Sequence, residues 1–343
     1  MTVSPAPASS GARFPQLLRT ESYRWWRPIL GLLVAGGVLL GGGVAVVLGV
    51  SLALAAAGVD DPFGAEALSP EQPAGLLANN LLLGLLIPAS VLAVRLVHRQ
   101  HPGLLLSVVG QLRWSLLLRF LAVALVVIVV FFVAGFLLPA EEAAPADSSS
   151  DQGRSVSVVT ALLLVILVTT PLQAAAEEVG FRGYVTQVVG SYIRRPAVSA
   201  FMAAAVSGLL FALAHGSQDA WLFSDRLVFG LTASWLVWRT GGLEAAIALH
   251  VVNNLVTLVF TTLTGSLGDA LEVSTLAWEY AVLDIAMIVT YAIVADRLAR
   301  RWAVADRRPP ASLALETPGA VGYPGPRTSA PPPAGGEHPW GMG

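Results

Sequence analysis

The chain reads as an all-α protein, a polytopic membrane bundle of about eight transmembrane helices, on three observations. Hydrophobic residues make up 55% of its 343 residues and charged residues only 12%, about half the share usual in soluble domains. Mean hydropathy is +0.70, and several uncharged runs exceed the roughly 20 residues that cross a bilayer as a helix. Basic residues, every one of them arginine, cluster in alternate connections between those runs.

Residues 1–22 are rich in Pro, Ser and Ala and read as a disordered cytoplasmic N-terminus. Tyr23-Arg24-Trp25-Trp26-Arg27 supplies interfacial aromatics and positive charge ahead of the first span, about 29–57. No short apolar run followed by a cleavage site precedes it, so this span is expected to be retained. An acidic loop with Asp60, Asp61 and Glu66 leads to the second span, about 76–97, which ends in Arg95, His98 and Arg99. A basic connector with Arg113 and Arg119 precedes the third, about 117–139, and the loop 140–154 is acidic and Ser-rich. The fourth span, about 156–180, opens on the uncharged run Val156 to Leu172 and carries Glu177 and Glu178 near its end. Arg194 and Arg195 precede the fifth, about 197–215; a polar turn from Gly216 to Asp225 precedes the sixth, about 226–238. Arg239-Thr240-Gly241-Gly242 turns the chain into the seventh, about 243–264, and the eighth runs from about 276 to 296. Arg297, Arg300, Arg301, Arg307 and Arg308 follow, then a Pro/Gly-rich tail in which His338 is no ligand candidate. The arginine-rich connections all fall on one side of this scheme, so both termini are expected in the cytoplasm and the protein in the plasma membrane, multi-pass.

Four segments follow: the N-terminal 1–22, the first three spans and their loops over 23–155, a polar-studded core over 156–298, and the cytoplasmic tail 299–343. The net charge of −2 carries no nucleic-acid footprint. Cysteine is absent, which excludes disulfides, thiolate metal sites and a cysteine nucleophile. The lipid bilayer is the one partner that composition assigns; oligomeric state is not legible.

The core is where charge becomes costly. An ionised side chain near the centre of a membrane helix costs about 2.5–3.5 kcal/mol on insertion scales. Glu178 and Arg182, four apart with the acid first, share a helix face and can pair. Glu177 is rotated about 100° from that face and has no local partner. Phe211-Ala-Leu-Ala-His215 closes the fifth span, and His250, Asn253 and Asn254 sit inside the seventh, with His250 and Asn254 one turn apart. Asp284 interrupts the eighth. Each has a plain structural reading. His215 alone suits a hydrated helix end, an Asn suits interhelical hydrogen bonding, Arg182 suits a cytoplasmic flank, and Asp284 suits a hydrogen-bonded structural acid. Together, an acid, two imidazoles and an amide on three late helices are the groups that activate a water and bind an oxyanion.

In this combination the chain resembles the CPBP family (CAAX proteases and bacteriocin-processing enzymes, the Abi type) of intramembrane endopeptidases. The family pattern is Glu-Glu-x-x-x-Arg, Phe-x-x-x-His and His-x-x-x-Asn/Asp on successive helices, matched by Glu177-Glu178…Arg182, Phe211…His215 and His250…Asn254. The resemblance covers about residues 156–264. It implies a glutamate-dependent peptidase acting on peptide or membrane-protein substrates without a required cofactor. Glu177 would be the general base, His215 would position the water, and His250 and Asn254 would hold the oxyanion. Glu178, Arg182 and Phe211 would support them. Glu177, His215 and His250 are also a zinc set of the catalytic type, although no His-Glu-x-x-His helix is present. A non-catalytic immunity or binding protein of the same fold, or a transporter using the same groups as a proton relay, are the competing classes.

One conflict is visible in advance. Glu177 falls near one end of the fourth span and His215 near the opposite end of the fifth. They meet only if the fourth helix continues past Glu177 or the fifth begins well after Arg195. Both are expected.

Overall fold

The computed structural model describes residues 10–138 and 154–310. Among these the regular structure is helical, without strands. The long helices are α1 (Arg27–Ala56), α4 (Trp114–Gly135), α5 (Val156–Glu177), α7 (Pro196–Leu213), α8 (Ala220–Thr240), α9 (Glu244–Thr264) and α11 (Trp278–Arg301). Shorter pieces are α2 (Pro73–Gly84), α3 (Leu86–Leu92), α6 (Thr186–Tyr192) and α10 (Leu267–Leu271). Six helical stretches are long and apolar enough to cross a membrane: Arg27–Ala56, Pro73–His98, Trp114–Gly135, Val156–Tyr192, Pro196–Leu213 and Glu244–Thr264. The other two of the eight expected spans, α8 and α11, have membrane-crossing lengths of 21 and 24 residues but carry Asp225, Arg226, Asp284 and Asp296 in their interiors.

Local chemistry sets the ends. Ser155 caps α5 and Asp219 caps α8, the latter accepting from Leu222 N at 2.8 Å. Pro28, Pro73 and Pro196 occupy first turns, where a missing N–H costs nothing. Gly241, at φ 64°, terminates α8 in the left-handed conformation that glycine adopts without strain.

The centre of the bundle is α9. From Glu244 to Val252 all nine residues are buried, because α4, α5 and α8 pack around it. That is why this helix is apolar on every side except where it meets the polar site. The first three helices form a flank: α1 lies on α2 and α3, and α2 lies on α5.

The connections expected to share one side do meet. Arg113 pairs with Glu244, Arg13 with Asp306 and Arg239 with Asp296, while Arg19 donates to the Ser191 carbonyl. Segments 10–22, 98–113, 190–195, 239–244 and 296–310 thus assemble at one end of the bundle. Here the structure departs from the expected disorder of residues 1–22. Over 10–22 the chain is seated, with Phe14 and Leu17 both fully buried against the core. Two large apolar side chains among Pro and Ser suffice to anchor a short segment. Likewise 299–310 packs back on the bundle, Arg308 donating to the Val108 carbonyl at 3.1 Å. Residues 311–343, with His338, lie outside the described residues.

The helix conflict resolves on one side only. The fourth span continues without a break from Val156 to Tyr192, 37 residues, so α5 and α6 are joined through a π-helical segment, Glu178–Val185. The fifth span does not slide, since α7 starts at Pro196 directly after Arg195.

Candidate active site

The π-helical segment carries Glu178 and Arg182. π turns are rare and cluster at functional positions, because the wider turn re-aims side chains within an otherwise continuous helix. Glu178 Oε1 accepts from Arg182 Nη1 at 3.0 Å, as the i,i+4 spacing predicts, and both side chains are fully buried. The same oxygen accepts from His250 Nδ1 at 2.8 Å, tying α9 to the segment. A carboxylate partner at Nδ1 requires the proton there, so Nε2 is the nitrogen left for other work.

Arg182 is held by aromatic rings as much as by its acid. Its guanidinium lies 4.0 Å from the Phe211 ring centroid, 5.6 Å from Phe229 and 6.0 Å from Phe181. Among the described residues Nε and Nη2 have no hydrogen-bond partner, and neither has Glu178 Oε2. Phe211 and Phe229 stack at 5.5 Å with an 18° tilt, and both touch His250, at 5.8 and 5.1 Å. This stack exists because α7 and α8 approach closely at two glycines: a Cβ on Gly230 would lie 2.7 Å from Gly208 Cα.

Glu177, one residue earlier, points elsewhere, as the 100° rotation predicts. It is 7% exposed. Its Oε1 accepts from Gln173 Nε2 one turn back on α5, and His250 and Glu178 act on its carboxylate electrostatically. Asn254 Nδ2 lies 3.5 Å from Gln173 Oε1. His215 follows the end of α7 on an exposed turn, its Nδ1 2.7 Å from the Phe211 carbonyl and its ring 4.6 Å from that of Phe211.

A cavity of about 730 Å³ opens beside these groups. His215, His250, Asn253 and Asn254 stand on its wall among apolar side chains such as Phe132, Phe260 and Met287. The structure therefore brings three of the four expected catalytic residues to one cavity. Glu177 is not on that wall; it sits behind it, linked through Gln173 to Asn254. Among the described residues no three His, Asp or Glu side chains gather into a group that could hold a metal ion.

Three residues at the site escape sequence reasoning. Gln173 reads as one polar residue in an apolar run, and its spacing of four from Glu177 was the available signal. Phe229 has no signal outside the fold. Asp225 falls in the expected polar turn, but α8 begins at Ala220, so Asp225 lies on the helix and stands with Asp284 on the cavity wall.

Fold and site together define a helical membrane protein with a polar cluster of a glutamate pair, two imidazoles and an amide inside the bundle. Residues 159–256, which carry all three motifs, match the family described as type II CAAX prenyl endopeptidase Rce1-like, so the CPBP resemblance holds over these helices. The uncharacterized protein YyaK of Bacillus subtilis (strain 168) is 30% identical over 94 residues, which is 27% of this chain. The match spans about a third, 31%, of that relative's length. No solved structure matches.

Proposed function

We propose that this protein is an intramembrane endopeptidase that hydrolyses peptide bonds of membrane-associated or peptide substrates with a glutamate-activated water. The observation that carries this reading is the gathering of His215, from the turn after α7, and of His250 and Asn254, from α9, on one cavity in an apolar bundle, with Glu177 of α5 off its wall and linked to Asn254 through Gln173. Each would be costly facing lipid. The Rce1-like match over the same residues supports the peptidase class.

In the proposed reaction Glu177 Oε2 takes a proton from a water held between it and His215. The hydroxide attacks the scissile carbonyl carbon. Asn254 Nδ2 donates to the oxyanion as it forms, with the His250 ring beside it. The intermediate collapses with cleavage of the C–N bond, and the proton held by Glu177 passes to the leaving amine. Glu178 fixes His250 through Nδ1, and Arg182 with its aromatic surround fixes Glu178. No step needs a bound metal. A chelator is expected to leave cleavage intact; loss in chelator with recovery in Zn²⁺ would transfer the water-activating role to a metal.

The direct test compares membrane proteomes of cells expressing wild type and Glu177→Gln, reading new protein termini. Termini that appear with wild type and vanish with the variant support the peptidase. A Glu177→Gln protein that performs its cellular role in full would identify a binding protein of the same fold.

The arginine distribution supports a plasma-membrane protein with both termini cytoplasmic. As the chain has no native cysteine, single cysteines report topology cleanly. Ala65→Cys should react with an impermeant reagent outside intact cells and Pro310→Cys should not; labelling at position 310 would overturn the orientation.

A further inference from the structure

We propose that Gln173 is a positioning residue of this site, its carboxamide clasping Glu177 on one side and Asn254 on the other. The proposal rests on the reading of Glu177 as general base and adds to it what orients the base and the amide. Gln173 lies on α5 one turn before Glu177 and is 7% exposed. A buried carboxamide must find partners for its N–H groups and its carbonyl. The partners this one finds are both site residues, on two different helices. Nε2 donates to Glu177 Oε1, and Oε1 faces Asn254 Nδ2 at 3.5 Å.

The order of donors and acceptors is forced. A carboxylate only accepts, so the nitrogen of Gln173 must face Glu177 and its oxygen must face α9. Asn254 must then turn its own nitrogen toward Gln173. One Nδ2–H is spent on the clasp, and the other remains to donate to an oxyanion. Gln173 therefore settles which face of the Asn254 carboxamide is presented, and it occupies Glu177 Oε1 so that Oε2 is the oxygen offered to water. It is not itself on the cavity wall, so it has no direct hold on substrate.

The plain alternative is that Gln173 merely joins α5 to α9, and the two roles separate by measurement. The probe is a fluorescence-quenched synthetic peptide spanning the strongest Glu177-dependent cleavage found in the membrane proteome, with full-length protein in detergent. Gln173→Leu should lower kcat by about 10²-fold, the size expected when a catalytic group is displaced by about 1 Å. KM and the melting temperature should stay near wild type. Gln173→Glu keeps the acceptor for Asn254 but loses the donor to Glu177, and its kcat should fall as far. Wild-type kcat in Gln173→Leu, or recovery of kcat in Gln173→Glu, overturns the proposal while leaving Glu177 as base. A fall in kcat matched by changes in KM and melting temperature also overturns it, in favour of helix joining. Glu177→Gln is assayed in parallel; full activity there removes both readings. If the leucine variant does not accumulate, Gln173→Met fills similar volume without hydrogen bonds and is read in its place.

Discussion

Two arginine–glutamate pairs in this bundle, one fully buried and one partly, are built from the same residue types and are satisfied in opposite ways. At the arginine-rich end, Arg113 grips Glu244 with both arms, Nε to Oε1 at 2.8 Å and Nη2 to Oε2 at 2.6 Å. Its remaining donors go to the carbonyls of Ala305 and Thr240. In the middle of the bundle, Arg182 gives Glu178 a single hydrogen bond and leaves Nε and Nη2 to aromatic faces. This bidentate pair joins three segments of chain and engages both carboxylate oxygens with the one arginine. The half-satisfied pair shares one carboxylate oxygen, Glu178 Oε1, between Arg182 and His250, and so connects the helix frame to the cavity. Completeness of pairing, more than the presence of charge, separates the bracing ion pair from the one that serves a site.

The sharpest break of this comparison is at the neighbouring acid. Glu177→Gln keeps shape and removes the basic oxygen, so activity should fall by about 10²–10⁴-fold with little change in thermal stability. Peptide cleavage and a melting curve on the same sample check it. At the bracing pair the pattern should invert. Glu244→Ala removes the acid partner of a part-buried guanidinium and should cost about 1–3 kcal/mol of stability, measured by denaturant titration in detergent, while the folded fraction keeps its kcat. Asn254→Ala should lose about 10²–10³-fold in kcat if its amide donates to the oxyanion; a change in KM alone would demote it to the cavity lining. Gly230→Ala forces α7 and α8 apart beside the Phe211–Phe229 stack and should cost about 1–3 kcal/mol. The smallest effect belongs to Phe229→Leu, about 0.5–1.5 kcal/mol from lost ring contacts. It sharpens the comparison if kcat falls further than stability does, because Phe229 touches both Arg182 and His250.

Much of this was readable without coordinates, for reasons that can be stated. Long uncharged runs admit one solution in lipid, so the helices at 27–56, 114–135 and 244–264 fall close to where hydropathy puts them. The i,i+4 spacing of Glu178 and Arg182 fixed their pairing. What was hidden depends on contact between helices. The partner that His250 takes, Glu178, lies 72 positions away. The aromatic surround of Arg182 draws Phe229 from a helix without a motif. Burial of Phe14 and Leu17 was masked by the composition around them, since a Pro/Ser/Ala-rich stretch averages as disordered even when two of its side chains are anchors. The start of α8 was missed because Asp225-Arg226 reads as the end of a loop, whereas Asp219 is the residue that caps.

The π-helical segment between α5 and α6 also works as a twist adapter. A straight α-helix would lock every residue after Glu177 into one angular sequence set by the residues before it. The wider turn resets the phase partway along. Upstream, Gln173 and Glu177 keep the face that meets α9; downstream, Gln187 donates to the Leu104 carbonyl and Ser191 stays buried against the connections. Two surfaces with unrelated demands are thereby carried on one uninterrupted rod. The length of the stretch 178–185 is consequently more constrained than its composition, because removing one residue would rotate the whole of α6 by about 100° against its seat.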